Sequence, residues 1–235
     1  MSDDNKRLAA EAAVAEVADG MLVGLGTGST AQHAIAAIGR RVAAGLSIRA
    51  VATSLASAEQ ARGLGITVLD FADVSRVDLT IDGADEIDAR LWAIKGAGGA
   101  MLREKAVAAA SARMVVIADG SKRVKRLGAA KLPVEVLPFA RAFVLGRLRE
   151  LFDWVEERGV EGRGGAYRTD NGNLVADCHD ALVADPRALA AALQAIPGVV
   201  GHGLFLQEVD AAYIAESGIV TRLERGGLER EGASG

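Results

Sequence analysis

Four short segments of the chain combine residues that bind anions with residues that move protons. In GLGTGSTA (24–31) glycines adjoin hydroxyls. Glycines let a backbone turn tightly and approach a ligand. Ser29, Thr30 and the N–H groups of an opening helix would then hold a phosphate. The plainer reading is a glycine-permitted turn without a ligand. In DGADEID (82–88), Asp82 and Asp85 flank Gly83 and Ala84, so one turn can aim both at one pocket. Two carboxylates there suit proton shuttling between sugar hydroxyls, or binding Mg²⁺. Turn-forming and capping aspartates are the alternative, and Glu86 and Asp88 are expected to be solvated or capping groups. In KGAGGAMLREK (95–105), Lys95 precedes a glycine loop and a helix. Its ammonium could neutralise charge developing on a substrate oxygen. Glu104 falls in the first turns of that helix, where the dipole and a nearby lysine favour the carboxylate. Such a group could take a proton from a carbon next to a carbonyl, although an isolated glutamate there is more often a surface acid. ADGSK (118–122) supplies Lys122, a phosphate or carbonyl ligand or simply an exposed lysine.

Other chemistries lack their residues. Counted from Gly24, the third glycine of a GxGxxG dinucleotide loop is Ser29, and Thr53-Ser54 offers no acid for a ribose diol. A GK[ST] triplet, an HExxH, a CxxC and a GxSxG elbow are all missing. His33, His179 and His202 share no metal-ligand spacing. Zinc, dinucleotide, P-loop and serine-hydrolase chemistries are therefore not expected, while Mg²⁺ at Asp82 and Asp85 stays open.

These segments must be positioned by an alternating scaffold. Apolar spacing predicts a helix over 3–18 closed by Gly20, a strand at 21–25, a tight loop from Gly26 to Thr30, and a helix carrying Ile35, Ile38 and Val42. A strand at 48–52, a helix at 57–64, strands at 66–69 and 77–81, a possible strand at 91–94, a helix at 101–112 and a strand at 114–118 follow. The expected fold class is α/β, a doubly wound, mostly parallel sheet with helices on both faces. Ligands in such sheets bind beyond the carboxyl ends of the strands, where all four segments fall. After Lys131 the pattern changes. Pro133 and Pro138 suit an edge or bounded strand, a helix fits 141–152, and AYRTDNGNLVADC reads as a hairpin turning at Asp170, Asn171 and Gly172. Asp185 and Pro186 open a further helix that ends before Pro197. Strands are expected near 199–206, 209–215 and 219–223. The expected division is a main domain of 1–130 plus 208–224, a smaller inserted α+β lobe at 131–207 and a disordered tail at 225–235.

Composition agrees with this class. Half of the 235 residues are hydrophobic but only 4% are aromatic, so the core must be built of Ala, Val, Leu and Ile. The net charge is −4 with acids and bases interspersed, which argues against a nucleic-acid partner. The single cysteine, Cys178, forms no intramolecular disulfide and reads as a core residue. No apolar run approaches the about 18 residues of a membrane span, and the acidic, polar start MSDDNKRLAAEAA is unlike a secretory signal. A cytoplasmic protein is expected.

Taken together and in order, GLGTGSTA, DLTIDGADEID, IKGAGGAMLREK, ADGSK, LPVEVLPFA and IPGVVGHGLF resemble type A ribose-5-phosphate isomerases from the first helix to about Thr221. The resemblance implies a cofactor-free aldose–ketose isomerase of ribose 5-phosphate and ribulose 5-phosphate in the pentose phosphate pathway, assembled as a homodimer or homotetramer. It implies substrate contacts at Thr27, Gly28, Ser29 and Thr30, at Asp82, Gly83, Ala84 and Asp85, at Lys95, Gly96, Ala97 and Gly98, and at Lys122. It also implies Glu104 as base, with Asp82, Asp85 and Lys95 catalytic, and a looser match of Lys6 to an early lysine. Ala97 departs from the family's usual glycine, and its methyl could narrow the approach to substrate. Two rivals share the scaffold. Sugar-phosphate deaminases and lactonases would be expected to use other residues, often histidine. A sugar-phosphate-sensing module would need a DNA-binding segment and no Glu104 base.

Overall fold

The computed structural model describes residues 2–160, 162, 164–179, 185–226 and 230–231. The alternation expected of the first half is present. The elements are α1 (Ser2–Val14), β1 (Leu22–Leu25), α2 (Ser29–Ala43), β2 (Arg49–Ala52), α3 (Leu55–Gly63), β3 (Thr67–Val68), β4 (Leu79–Gly83), β5 (Glu86–Ile87), β6 (Ala93–Ile94), α4 (Met101–Ala109) and β7 (Met114–Asp119). The second half contributes β8 (Leu132–Val136), α5 (Arg141–Leu148), β9 (Trp154–Glu157), β10 (Leu174–His179), α6 (Pro186–Gln194), β11 (Val199–His202), β12 (Leu204–Phe205), β13 (Ala211–Glu216), β14 (Ile219–Glu224) and β15 (Arg230–Glu231).

The main sheet runs in the order β15-β14-β13-β7-β4-β1-β2-β3. From β3 to β13 every neighbour is parallel, and β14 and β15 close the edge in antiparallel fashion. Period-2 alternation places Val115, Ile117, Ala211 and Tyr213 on the face covered by α1 and α2. Met114, Val116, Ala212 and Ile214 lie on the other face with Ala108 of α4 and Phe205. Small residues such as Ala9, Ala10, Ala13 and Ala37 let the helices lie close, which is how a core poor in aromatics is filled. The chain starts at β1, winds outward to β3 and returns on the other side of β1 as β4. The strand order therefore reverses between β1 and β4, and a crevice opens at their carboxyl ends.

A separate antiparallel sheet, β11-β8-β10-β9, forms the smaller lobe with α5 and α6, and a three-stranded sheet, β12-β6-β5, lies between the two layers. Cys178 is buried in β10, as expected.

Several sequence expectations change. The first helix stops at Val14 and a turn carries the chain to Gly20, while Val17 still reaches the core. The helix expected over 141–152 ends at Leu148. β8 is an interior strand between β11 and β10, tolerated because Pro133 sits near its start and Pro138 lies beyond it. The turn at 170–172 exists, but 166–169 form no strand. Thr169 closes the turn with backbone and side chain alike: its N–H donates to the Asn173 carbonyl, its carbonyl accepts from the Gly172 N–H, and its Oγ1 accepts from the N–H groups of Asn171 and Asn173. Before it, the Tyr167 N–H turns to the Arg158 carbonyl, and β10 pairs with β9 and β8. The strand expected at 199–206 breaks at Gly203 into β11 and β12, which belong to different sheets. The tail is not wholly irregular: Arg230–Glu231 pair with β14, and Arg225 Nε donates to the Val209 carbonyl. The rest of that expectation, 227–229 and 232–235, lies outside the described residues.

Candidate active site

A cavity of about 290 Å³ opens at the β1/β4 crevice. It is lined by Lys6, the 27–30 loop, Gly83–Asp85, Lys95–Gly98, Glu104 and Lys122. The four segments picked out in the sequence therefore converge, although they span almost a hundred residues of chain.

At one end, β1 passes into α2 through Gly28, whose φ of 102 is a conformation suited to glycine. Ser29 and Thr30 occupy the first turn of α2, where the N–H groups and the dipole favour an anion. That turn carries no acidic residue. Lys6 Nζ reaches across from α1 and donates to Ser29 Oγ at 3.0 Å. Lys6 makes this end cationic, and Lys122 adds a second positive charge to the cavity wall.

At the other end lies a buried charge cluster. Lys95 is 2% exposed, and its Nζ donates to the Gly83 carbonyl at 2.5 Å. It sits 2.9 Å from Asp82 Oδ2 and 3.3 Å from Glu104 Oε2. Burial opposes its charge, but Asp82, Glu104 and Asp85 overcome that cost and raise its pKa. The other Asp82 oxygen accepts from the N–H groups of Thr27 and Gly83. Gly26 makes this possible, since a Cβ there would overlap the Asp82 side chain. Asp82 is fully buried and does not line the cavity, whereas Asp85 does and accepts from the Ala97 N–H at 2.9 Å. Glu104 is buried at the start of α4 but borders the cavity. Burial first, and then the Asp82 charge, push its pKa up from 4.5 to about 8, against the pull of Lys95. That value places a carboxylate base near neutral pH, where general base catalysis is efficient.

Three expectations need correction or extension here. Glu86 and Asp88 follow the capping alternative rather than the solvated one. Glu86 accepts from the N–H groups of Gly128 and Ala130, and Asp88 accepts from Arg90 and Trp92, so both are buried loop-holding acids. Ala97 has no left-handed φ and is exposed at the cavity wall, so its methyl imposes no backbone strain. Lys6 joins the site outright, although a single lysine in an amphipathic helix carried little signal.

Sequence reasoning also missed Arg158 and Tyr167. Arg158 Nη1 donates to the carbonyls of Gly96 and Ala97, and the Tyr167 hydroxyl donates to that of Gly98. They approach from the lobe and lie in no local motif. Among the described residues no histidine lines the cavity, and no group of three or more His, Cys, Asp or Glu side chains is arranged to hold a metal ion. The Lys95 ammonium occupies the point between Asp82 and Glu104 that a cation shared by those carboxylates would take.

The sequence profile described as "Ribose 5-phosphate isomerase A (phosphoriboisomerase A)" matches residues 49–218. The ribose-5-phosphate isomerase A of Sphingopyxis alaskensis is 51% identical over 221 residues, covering 94% of this chain and 96% of that protein. That of Caulobacter vibrioides is 48% identical over 227 residues, covering 95% and 99%. A D-ribose-5-phosphate isomerase solved in complex with phospho-erythronic acid superposes with a TM-score of 0.92 at 32% identity, covering 96% of this chain and 100% of that one. The ribose 5-phosphate isomerase A of Neisseria gonorrhoeae gives 0.87 at 36% identity, covering 96% and 98%.

Proposed function

This chain belongs to the ribose 5-phosphate isomerase A family, and we infer from that membership that its cavity interconverts D-ribose 5-phosphate and D-ribulose 5-phosphate. The observation that carries the reading is the pairing of a buried Glu104 and Lys95 at one end of the cavity with a cationic, helix-capped end at the other.

The chemistry follows from the substrate. Moving the carbonyl from C1 to C2 needs a proton taken from C2 and one delivered to C1, with a hydroxyl proton passing from O2 to O1. No electrons leave the molecule, so no redox cofactor is required. We assign Glu104 as the base that takes the C2 proton and returns it to C1 on the same face, through a cis-enediolate. Lys95 offsets the negative charge on the enediolate oxygens, and Asp85 exchanges the hydroxyl proton. Asp82 helps move the ring-oxygen proton during ring opening, acting through the Lys95 ammonium that it holds. The phosphate sits at Ser29, Thr30, Lys6 and Lys122, and Thr27, Gly28, Gly83, Ala84, Gly96, Ala97 and Gly98 enclose the carbon chain. Phospho-erythronic acid is expected to bind here as well, since its planar carboxylate presents two oxygens side by side, much as the planar O–C=C–O group of a cis-enediolate does.

The first test is ribulose 5-phosphate formation from ribose 5-phosphate in excess EDTA. Rapid turnover that the chelator leaves intact is expected, because Lys95 supplies the positive charge between the carboxylates. Activity lost in EDTA and restored by Mg²⁺ would turn Asp82 and Asp85 into metal ligands. Tight binding without turnover under either condition would favour a sugar-phosphate sensor.

The phosphate end has its own test. Lys6→Ala removes one charge-assisted contact and is expected to raise KM for ribose 5-phosphate by on the order of tenfold. An unchanged KM would remove Lys6 from the phosphate site.

We also propose a homodimer or homotetramer in the cytoplasm. Phe139 is 96% exposed, and Phe143 and Trp154 of the same lobe are exposed too, the kind of apolar surface that another subunit covers. A solution mass of one chain would overturn the assembly. No helix among the described residues is long and apolar enough to cross a membrane.

A further inference from the structure

The smaller lobe reaches into the catalytic glycine loop at three consecutive peptide groups. Arg158, just beyond β9, donates through Nη1 to the Gly96 carbonyl at 3.2 Å and to the Ala97 carbonyl at 2.9 Å. Tyr167 donates to the Gly98 carbonyl at 3.1 Å. The two are built as a unit: the Tyr167 N–H donates to the Arg158 carbonyl, and the Arg158 guanidinium lies 5.6 Å from the Tyr167 ring centroid. Arg158 is itself fixed from behind. Its Nε donates to Asp177 Oδ2 at 2.9 Å and its Nη2 to Asp177 Oδ1, a two-point pairing that locks the plane of the guanidinium. Asp177 is buried in β10 and also accepts from Lys131. Tyr167 packs so closely on the loop that a Cβ at Gly99 would overlap its hydroxyl.

In a trans peptide the C=O and the following N–H point in opposite directions. Holding the Gly96 carbonyl toward Arg158 aims the Ala97 N–H away from the lobe, where it meets Asp85. Holding the Ala97 carbonyl toward Arg158 aims the Gly98 N–H away from the lobe in the same manner, and Gly98 lines the cavity. The loop closes a turn of its own, the Gly99 N–H donating to the Gly96 carbonyl at 2.9 Å. That bond does not fix the two peptide planes inside the turn, and with glycine at 96, 98 and 99 those planes have wide freedom unless the Ala97 and Gly98 carbonyls are held from outside.

We propose that Arg158, assisted by Tyr167, is a positioning residue for the isomerisation: from the smaller lobe it fixes the peptide groups of the 96–99 loop so that the Gly98 N–H faces a reacting oxygen of the substrate and Asp85 stays anchored. The proposal rests on the isomerase reading above. It makes the rate depend on a side chain that touches neither substrate nor catalytic carboxylate, because preorganised donors act only when held in register.

The test uses the full chain with Arg158→Ala and Tyr167→Phe, measuring kcat, KM and inhibition by phospho-erythronic acid. Arg158→Ala is expected to lower kcat by on the order of 100-fold, as misplacement of a catalytic group by about 1 Å does. KM should stay within about threefold, since the phosphate end is untouched. Inhibition by phospho-erythronic acid should weaken along with kcat, and added methylguanidinium should restore part of the rate. Tyr167→Phe keeps the ring and loses one hydrogen bond, so on the order of a fivefold loss in kcat is expected, a check that does not depend on the larger truncation folding well. Unchanged kcat in both variants, a defect confined to KM, or a loss in Arg158→Ala that follows melting temperature and resists methylguanidinium would overturn the proposal. Wild-type protein without turnover would overturn the isomerase reading, and the clamp with it; active wild type with indifferent variants overturns the clamp alone.

Discussion

Glu104→Gln is expected to lose at least on the order of a thousandfold in kcat while still binding ribose 5-phosphate, because it removes the group that accepts the C2 proton and keeps its shape. The amide occupies the same place at the start of α4, so the phosphate end is undisturbed. The parent enzyme should show the same group in its pH profile. Glu104 must be ionised to act and its pKa lies near 8, so kcat/KM should climb with pH and level off above that value. The stability consequence has the opposite sense. The folded protein holds the Glu104 proton up to about pH 8, whereas an unfolded chain releases it near 4.5. Between those values the folded state binds more protons, and the contribution of Glu104 to stability falls as pH rises. Glu104→Gln removes that penalty while Lys95 keeps Asp82 as partner. The variant should therefore melt higher than the parent at pH 8 and lose the advantage below pH 4.5. Isomerase assays, calorimetric titration with ribose 5-phosphate and melting curves at the two pH values would check this. A variant that retains near-parental turnover would remove Glu104 as the base.

Lys95→Met should damage both folding and catalysis. The ammonium is the only cation placed between Asp82 and Glu104 among the described contacts, and all three side chains are nearly or fully buried. Taking one member from a buried ion cluster leaves uncompensated charge and typically costs about 3–5 kcal/mol. The strain is relieved by protonation. Without the lysine the Glu104 pKa should rise further above 8, since Lys95 is what lowers it now, and an even smaller fraction of the base is ionised at physiological pH. Loss of the oxyanion partner adds a rate penalty on the order of a hundredfold or more. Urea unfolding should show the lower stability, and the residual activity should shift to higher pH than in the parent. A folded, parent-like Lys95→Met enzyme working within tenfold of the normal rate would contradict the cluster's role.

Local residue chemistry made much of the site legible. Glycine beside hydroxyl, aspartate pairs beside glycine and a lysine before a glycine loop each announce a turn that can meet a ligand, and strand–helix alternation places such turns on one side of a parallel sheet. The same reasoning left solvated and capping roles open for Glu86 and Asp88, because nothing in DGADEID reveals the N–H groups of Gly128 and Ala130 that come to meet Glu86. The strand expected over 166–169 is absent because the pairing stops at the turn: Tyr167 donates to the Arg158 carbonyl, and β10 pairs with β9 and β8 instead. Arg158 and Tyr167 were invisible, standing about sixty to seventy residues away from the carbonyls that they hold.

What the sequence determined by itself was the set of chemical groups, the class of fold and the end of the sheet where those groups gather, since turn chemistry and hydrophobic period are local properties of the chain. Only the tertiary structure decided which carboxylate faces the cavity and which lies behind Lys95, how far burial lifts Glu104 toward neutral pH, and which lobe residues hold the glycine loop. Those outcomes depend on desolvation and on contacts between distant segments, and neither is written in the spacing of residues along the chain.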